Sequence, residues 1–116
     1  MGTTLQGHSI DEHRAAALAH AKVEAEATYE EMRLEAERPV QKHAAILRIM
    51  QNQTAPSGKP HSYSSAEALA ETDAEYAAFL EEQRAHKRHV ILTRAKAWAA
   101  RSIVAEGIAL IGRAEL

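Results

Sequence analysis

The sequence predicts an all-α fold, a long helical hairpin with a short helical insert after its loop. Three observations lead to this prediction. Much of the 46% hydrophobic content is alanine, the best helix former, whereas aromatic residues make up only 4%. Apolar residues recur every three or four positions in two long segments. A single proline- and glycine-containing stretch, residues 51–63, separates those segments. Because alanine buries little area, we expect such hairpins to pack as an oligomeric bundle.

The first helix is predicted over about residues 10–50, after a polar tail of residues 1–9. Ser9 and Glu12 have the spacing of a capping box, which places the helix start near Ile10. One apolar stripe follows at helical spacing: Leu18, Ala21, Ala25, Tyr29, Met32, Ala36, Val40, His43, Leu47 and Met50. Three acidic residues, Glu24, Glu31 and Glu35, lie along one edge of that stripe. His43 falls on the stripe and is expected to be a buried, hydrogen-bonded histidine.

Pro39 interrupts this helix, because proline removes a backbone donor and clashes with the preceding turn. The apolar stripe stays in phase on both sides of it. A kinked helix fits this continuity slightly better than a break followed by a restart.

After the loop, two further capping boxes predict a helix or helices over about residues 65–106. Ser64 with Glu67 predicts a short helix, and Thr72 with Glu75 predicts a pause before the last long helix. Two glycines weaken the segment after Glu106, so residues 107–116 are predicted to form an apolar C-terminal turn. Residues 10–116 are expected to form a single helical domain.

Charge is strongly segregated within this last part of the chain. Six acidic and no basic residues lie between Glu67 and Glu82, whereas six basic and no acidic residues lie between Arg84 and Arg101. Lys87, Arg94 and Arg101 are spaced by seven and therefore share one helix face. Apolar side chains flank this row on both sides. One flank contains Tyr76, Leu80, Ile91 and Trp98, and the other contains Phe79, Val90, Ala97 and Val104.

Two interpretations of the basic row remain open. In the first, the cations lie on apolar surface and pair with the acidic edge of the first helix or of another copy, so that Arg94 becomes part of a buried ion pair. In the second, the cations contact phosphates while an aromatic ring stacks on a base. That set contains Arg84, Lys87, Arg88, Arg94, Lys96 and Arg101. An acidic protein partner is a third possibility, and the isoelectric point near 6.4 disfavours nucleic acid.

Histidine occurs seven times, and Glu82, His86 and His89 are spaced so that they can approach one helix face. This is a weak candidate for a divalent metal site, because a second helix would have to supply further ligands. A solvated histidine-rich surface is the simpler interpretation.

No motif of catalysis appears: the chain lacks a phosphate-binding glycine loop, a nucleophile elbow and a zinc-protease helix motif. No cofactor and no small-molecule substrate is expected. The absence of a signal peptide or a membrane-spanning segment predicts a cytoplasmic protein. Small alanine-rich hairpins of this form occur among accessory proteins of mobile elements, although this is an analogy of form and not of motif.

These features favour a non-enzymatic protein–protein interaction or assembly module that self-associates or binds a partner, with nucleic-acid binding through residues 84–101 as the alternative. The apolar anchors would be Tyr76, Leu80, Ile91 and Trp98, with Arg84, Lys87, Arg88, Arg94 and Arg101 as charged contacts.

Overall fold

A computed structural model describes the backbone of residues 4–5 and 8–115 and the side chains of residues 9–112. The helices are α1 (Ile10–Asn52), α2 (Tyr63–Ala68) and α3 (Ala74–Glu115), with a 3-10 turn at Ala70–Thr72 between α2 and α3. Two short strands, β1 (Thr4–Leu5) and β2 (His8–Ser9), pair antiparallel before α1. The predicted all-α hairpin-like packing of α1 against α3 is confirmed, whereas oligomeric packing stays a prediction. Tail residues 1–3, 6 and 7 lie outside the described residues.

The predicted helix signals agree with the structure to within a few residues. The Glu12 amide donates to Ser9 Oγ at 3.1 Å, and α1 begins at Ile10 as expected. The cap of α2 is Ser62 and not Ser64, so α2 begins two residues earlier than predicted. The pause near Thr72 is present as the 3-10 turn.

Helix α1 runs without interruption through Pro39, which excludes a break followed by a restart. The kink stays a prediction. The predicted end of the last helix near residue 106 is wrong, because α3 continues through Gly107 and Gly112 to Glu115. A single glycine weakens a helix by only about 1 kcal/mol, which the surrounding alanine-rich turns can offset.

The chain divides into two compact units. Unit 1 contains residues 1–29 and 88–116, and unit 2 contains residues 30–87. Each long helix contributes to both units, so each unit combines a part of α1 with a part of α3.

Unit 2 contains the hydrophobic core of the protein. Its buried members come from α1, α2, the 3-10 turn and α3: Leu34, Ala45, Ile46, Ile49, Ala66, Ala70, Tyr76, Phe79 and Leu80. The rings of Tyr76 and Phe79 stack with centroids 6.5 Å apart. Ala66 of α2 and Ala70 of the 3-10 turn are members of this cluster, so the core includes side chains from more than the two long helices.

An ion-pair cluster holds the start of α3 to α1 within unit 2. Arg48 donates to both carboxylate oxygens of Asp73, at 3.0 and 2.6 Å, and Asp73 also accepts from the Tyr76 amide as the helix cap. The Arg48 guanidinium, together with that amide, lowers the pKa of Asp73. Asp73 therefore caps a helix and anchors it to another.

Unit 1 has a thin seam of small side chains. Ala27 of α1 and Val90, Thr93 and Ala97 of α3 are buried, and the Thr93 hydroxyl is satisfied by the Val90 carbonyl at 3.0 Å. The spacing of three and four residues along α3 is that of a coiled-coil seam. Because these side chains are small, the seam buries little apolar area per residue.

The apolar stripe of α1 lies mostly on the surface, unlike a conventional packing face. Its large members Leu18, Tyr29, Met32 and Val40 are between 65% and 71% exposed. His43 is likewise exposed, with Nδ1 3.3 Å from the Tyr63 hydroxyl, so its predicted burial is wrong. The buried histidine is His61, which bonds Ser65 Oγ at 2.7 Å.

None of the helices in the described part of the chain is both long enough and apolar enough to cross a lipid bilayer.

Candidate partner-binding surface

Helix α3 buries most of one apolar flank, where only Val104 is half-buried, whereas the other flank is partly buried and partly exposed. Phe79, Val90 and Ala97 of the first flank are buried. On the second flank Tyr76 and Leu80 are only 2% and 8% exposed, so they belong to the core. The prediction that Tyr76 and Leu80 are partner anchors is therefore wrong. Both side chains belong to the buried cluster that also contains Ala66 of α2 and Ala70 of the 3-10 turn.

The later part of the same flank, in unit 1, is exposed. Ile91 is 64% exposed and Trp98 is 65% exposed. Both lie on the continuous helix α3, seven residues apart and therefore on one face. These two predicted anchors are accessible to a partner.

The basic row lies beside these apolar residues and contacts α1. Arg94 Nε and Arg101 Nη1 each lie 3.7 Å from an oxygen of Glu24 in unit 1. In unit 2, Lys87 Nζ lies 3.1 Å from Glu35, which also accepts from the buried Gln83 amide at 2.8 Å. The heptad cations thus face the acidic edge of α1, as the first interpretation predicted.

These ion pairs are not buried, contrary to the prediction for Arg94. The side chains of Lys87, Arg94 and Arg101 are 46%, 57% and 54% exposed. Long basic side chains extend along the apolar surface while their charged ends stay in water. The desolvation cost that would have made Arg94 essential to the fold is therefore largely avoided.

The described ion pairs connect this face of α3 to α1 through Glu24. Leu18 of α1 is 65% exposed but lies six residues before Glu24, on a different face of the helix. We call the exposed face of α3 in unit 1, together with the carboxylate that contacts it, the tryptophan edge. It consists of Glu24, Ile91, Arg94, Trp98 and Arg101.

The other predicted basic contacts have different surroundings. Lys96 lines a shallow cavity of about 280 Å³ together with His13 and His20, away from Trp98. Arg84 pairs with Glu81 on its own helix at 3.3 Å. Arg88 is exposed and precedes Ile91 by one helical turn, so it lies on the same side of α3 as Ile91.

The arrangement of Glu82, His86 and His89 does not support the candidate metal site. Glu82 and His89 are exposed and His86 is half-buried. Within the side chains that the structure describes, no cluster of three or more histidine, aspartate or glutamate residues is arranged to hold a metal ion.

Unit 2 contains a wider depression of about 490 Å³ between α1, α2, the 3-10 turn and α3, and its lining includes Arg38, Lys42, Glu67, Glu71 and Tyr76. The hydrogen bond between Tyr76 and Arg38 raises the pKa of that arginine. Lys42 Nζ lies 3.9 Å from Glu67. Since two cations and two carboxylates line the opening, their formal charges cancel.

Comparisons with protein-family models, curated proteins and solved structures find no match to this chain.

Proposed function

We propose that the protein is a non-enzymatic interaction or assembly module that binds another protein through the tryptophan edge. The observation that supports this is the exposure of Trp98 and Ile91, each about two-thirds accessible, on one face of α3 beside Arg94 and Arg101, while the seam of the helix pair is built from small side chains. Tryptophan and arginine are the residue types that most often dominate binding energy at protein interfaces. Exposed large apolar residues grouped on one surface are typical of interaction sites.

Nucleic-acid binding is the second candidate, because Trp98 lies between Arg94 and Arg101 and is exposed enough to stack on a base. The contacts of the cations with Glu24, Glu35 and Glu81 weigh against it. A phosphate ligand would have to compete with those carboxylates, whereas a protein partner can use the apolar surface directly.

The test is affinity purification with the full chain as bait from extract of its native host, with and without nuclease. Trp98→Ser should abolish capture of the specific partner, because it removes the largest exposed anchor. Val40→Ser is the matched control, since Val40 is 66% exposed but lies in unit 2. Equal capture by wild type, Trp98→Ser and Val40→Ser would refute the proposal, and capture that nuclease abolishes would favour the nucleic-acid candidate.

A further inference from the structure

The charges on the tryptophan edge do not balance. Arg94 and Arg101 approach the two oxygens of the same carboxylate, Glu24. Both distances are 3.7 Å, longer than the 2.7–3.2 Å of an N–H···O hydrogen bond. Two guanidinium groups thus share one carboxylate without a close hydrogen bond to it, and both are more than half exposed. The edge carries an excess positive charge with unused donors.

This imbalance argues against a second copy of the chain on the same edge. Two identical edges placed together would bring four guanidinium groups against two carboxylates and remove water from them. Like charges brought together across an interface cost several kcal/mol. The occupant should therefore carry negative charge of its own.

The apolar part of the edge indicates the shape of that occupant. Ile91 and Trp98 repeat at seven residues, as do Arg94 and Arg101, and all four lie on the continuous helix α3. A second helix presents its side chains with the same repeat, so it can match these four positions over two heptads. Recognition of an amphipathic helix through its apolar face is a common mode of peptide binding.

We propose that the tryptophan edge receives an acidic amphipathic helix of another protein. Its apolar residues would pack on Ile91 and Trp98, and its carboxylates would form charge-assisted bonds with Arg94 and Arg101. This inference rests on the proposed function and names the chemistry of the partner.

The experiment uses Trp98 as the reporter, since it is the single tryptophan of the chain and is well exposed. The probes are two helical peptides about three heptads long with the same leucines at a and d, one with glutamate and one with lysine at e and g. The glutamate peptide should shift Trp98 emission to shorter wavelength and bind at least about tenfold more tightly than the lysine peptide.

Charge variants of the protein make the test specific. Arg94→Glu with Arg101→Glu should invert the preference, so that the lysine peptide becomes the tighter ligand. If repulsion from Glu24 unfolds that variant, Arg94→Gln with Arg101→Gln should fold, as circular dichroism can check, and should bind both peptides equally. Lys42→Gln with Lys59→Gln removes two cations from unit 2 and should leave the preference unchanged.

Three results would overturn the inference. The first is equal binding of both peptides by the wild-type chain, and the second is tighter binding of a single-stranded oligonucleotide than of the glutamate peptide. The third is a dimer by sedimentation with a matching shift of Trp98 emission at rising protein concentration. If a native partner is captured in a Trp98-dependent way while the peptides fail to discriminate, the proposed function stands and only the acidic-helix inference fails.

Discussion

Unit 2 and unit 1 are built from parts of the same two helices but bury different kinds of side chain. Unit 2 encloses Ile46 and Ile49 completely, with α2 and the 3-10 turn as additional cover. Unit 1 buries Ala27 and Ala97 and leaves Trp98 in solvent. In this protein the two paired helices alone bury mainly small side chains, whereas the part that also includes α2 and the 3-10 turn buries large ones. Unit 1 also carries the exposed Ile91 and Trp98, through which we propose that a partner binds.

The largest expected effect is on the core of unit 2. Ile46→Ala should lower the free energy of unfolding by about 3 kcal/mol, because a side chain that is 1% exposed leaves a cavity among well-packed neighbours. Leu18→Ala in unit 1 should change it by no more than about 0.5 kcal/mol. Chemical denaturation of both variants measures the contrast, and equal losses would contradict the division into a thick core and a thin seam.

The helix anchor of unit 2 should come next. Asp73→Ala removes both the cap of α3 and the carboxylate bound by Arg48, and should cost about 2 kcal/mol. Glu75→Ala is the control, since Glu75 also contacts Arg48 but is 74% exposed. Similar melting temperatures for the two variants would mean that Asp73 does not anchor the helix.

The same carboxylate predicts a pH dependence. The pKa of Asp73 is lowered in the folded state, chiefly by the hydrogen bonds from Arg48. The stability that the ionised carboxylate contributes is therefore complete above its unfolded pKa of about 4 and is lost as pH falls through the folded pKa. The stability difference between wild type and Asp73→Ala should therefore shrink below about pH 4. Denaturation curves across that range check this, and a difference that stays constant would show that the charge is unimportant.

In the seam of unit 1 the expected loss of stability is smaller, and it comes from overpacking and not from a cavity. Ala97 is fully buried between the helices, so Ala97→Leu should overpack the seam and cost about 1 kcal/mol or somewhat more. Ala99→Leu, two residues further along the same helix at an exposed position, should be almost neutral. Thermal melts of the two variants measure the difference. Equal melting temperatures would contradict the burial of Ala97 between the helices.

The smallest effect should be that of Arg94→Ala, about 0.5 kcal/mol or less. Its ion pair with Glu24 is long and the side chain is 57% exposed, so solvent screens the charge. The buried pairing expected from the sequence would instead have cost roughly 3 kcal/mol. A denaturant midpoint lowered by that larger amount would show that Arg94 supports the fold, whereas lost partner binding at an unchanged midpoint would support a role at the tryptophan edge.

The sequence by itself was sufficient to predict the two long helices, the loop between them and the cap at Ser9, because these depend on local propensity and on turn chemistry. It placed the heptad cations on one face, since residues seven apart share a face, but left open whether that face meets the carboxylates of α1 or a phosphate ligand. Trp98 and Ile91 could be chosen as anchors from their types, but their exposure could not be known from spacing alone.

Only the tertiary structure decided which apolar rows are buried. Both long helices have more than one apolar row, and helical spacing does not distinguish the row that meets α3 from the row that meets water. The choice depends on where α2 and the 3-10 turn pack, which places Tyr76 and Leu80 in the core and leaves Leu18 and Trp98 outside it. The close approach of α1 and α3 then favours the small residues Ala27 and Ala97 at their contact, because two helices can come together most tightly where the side chains between them are smallest.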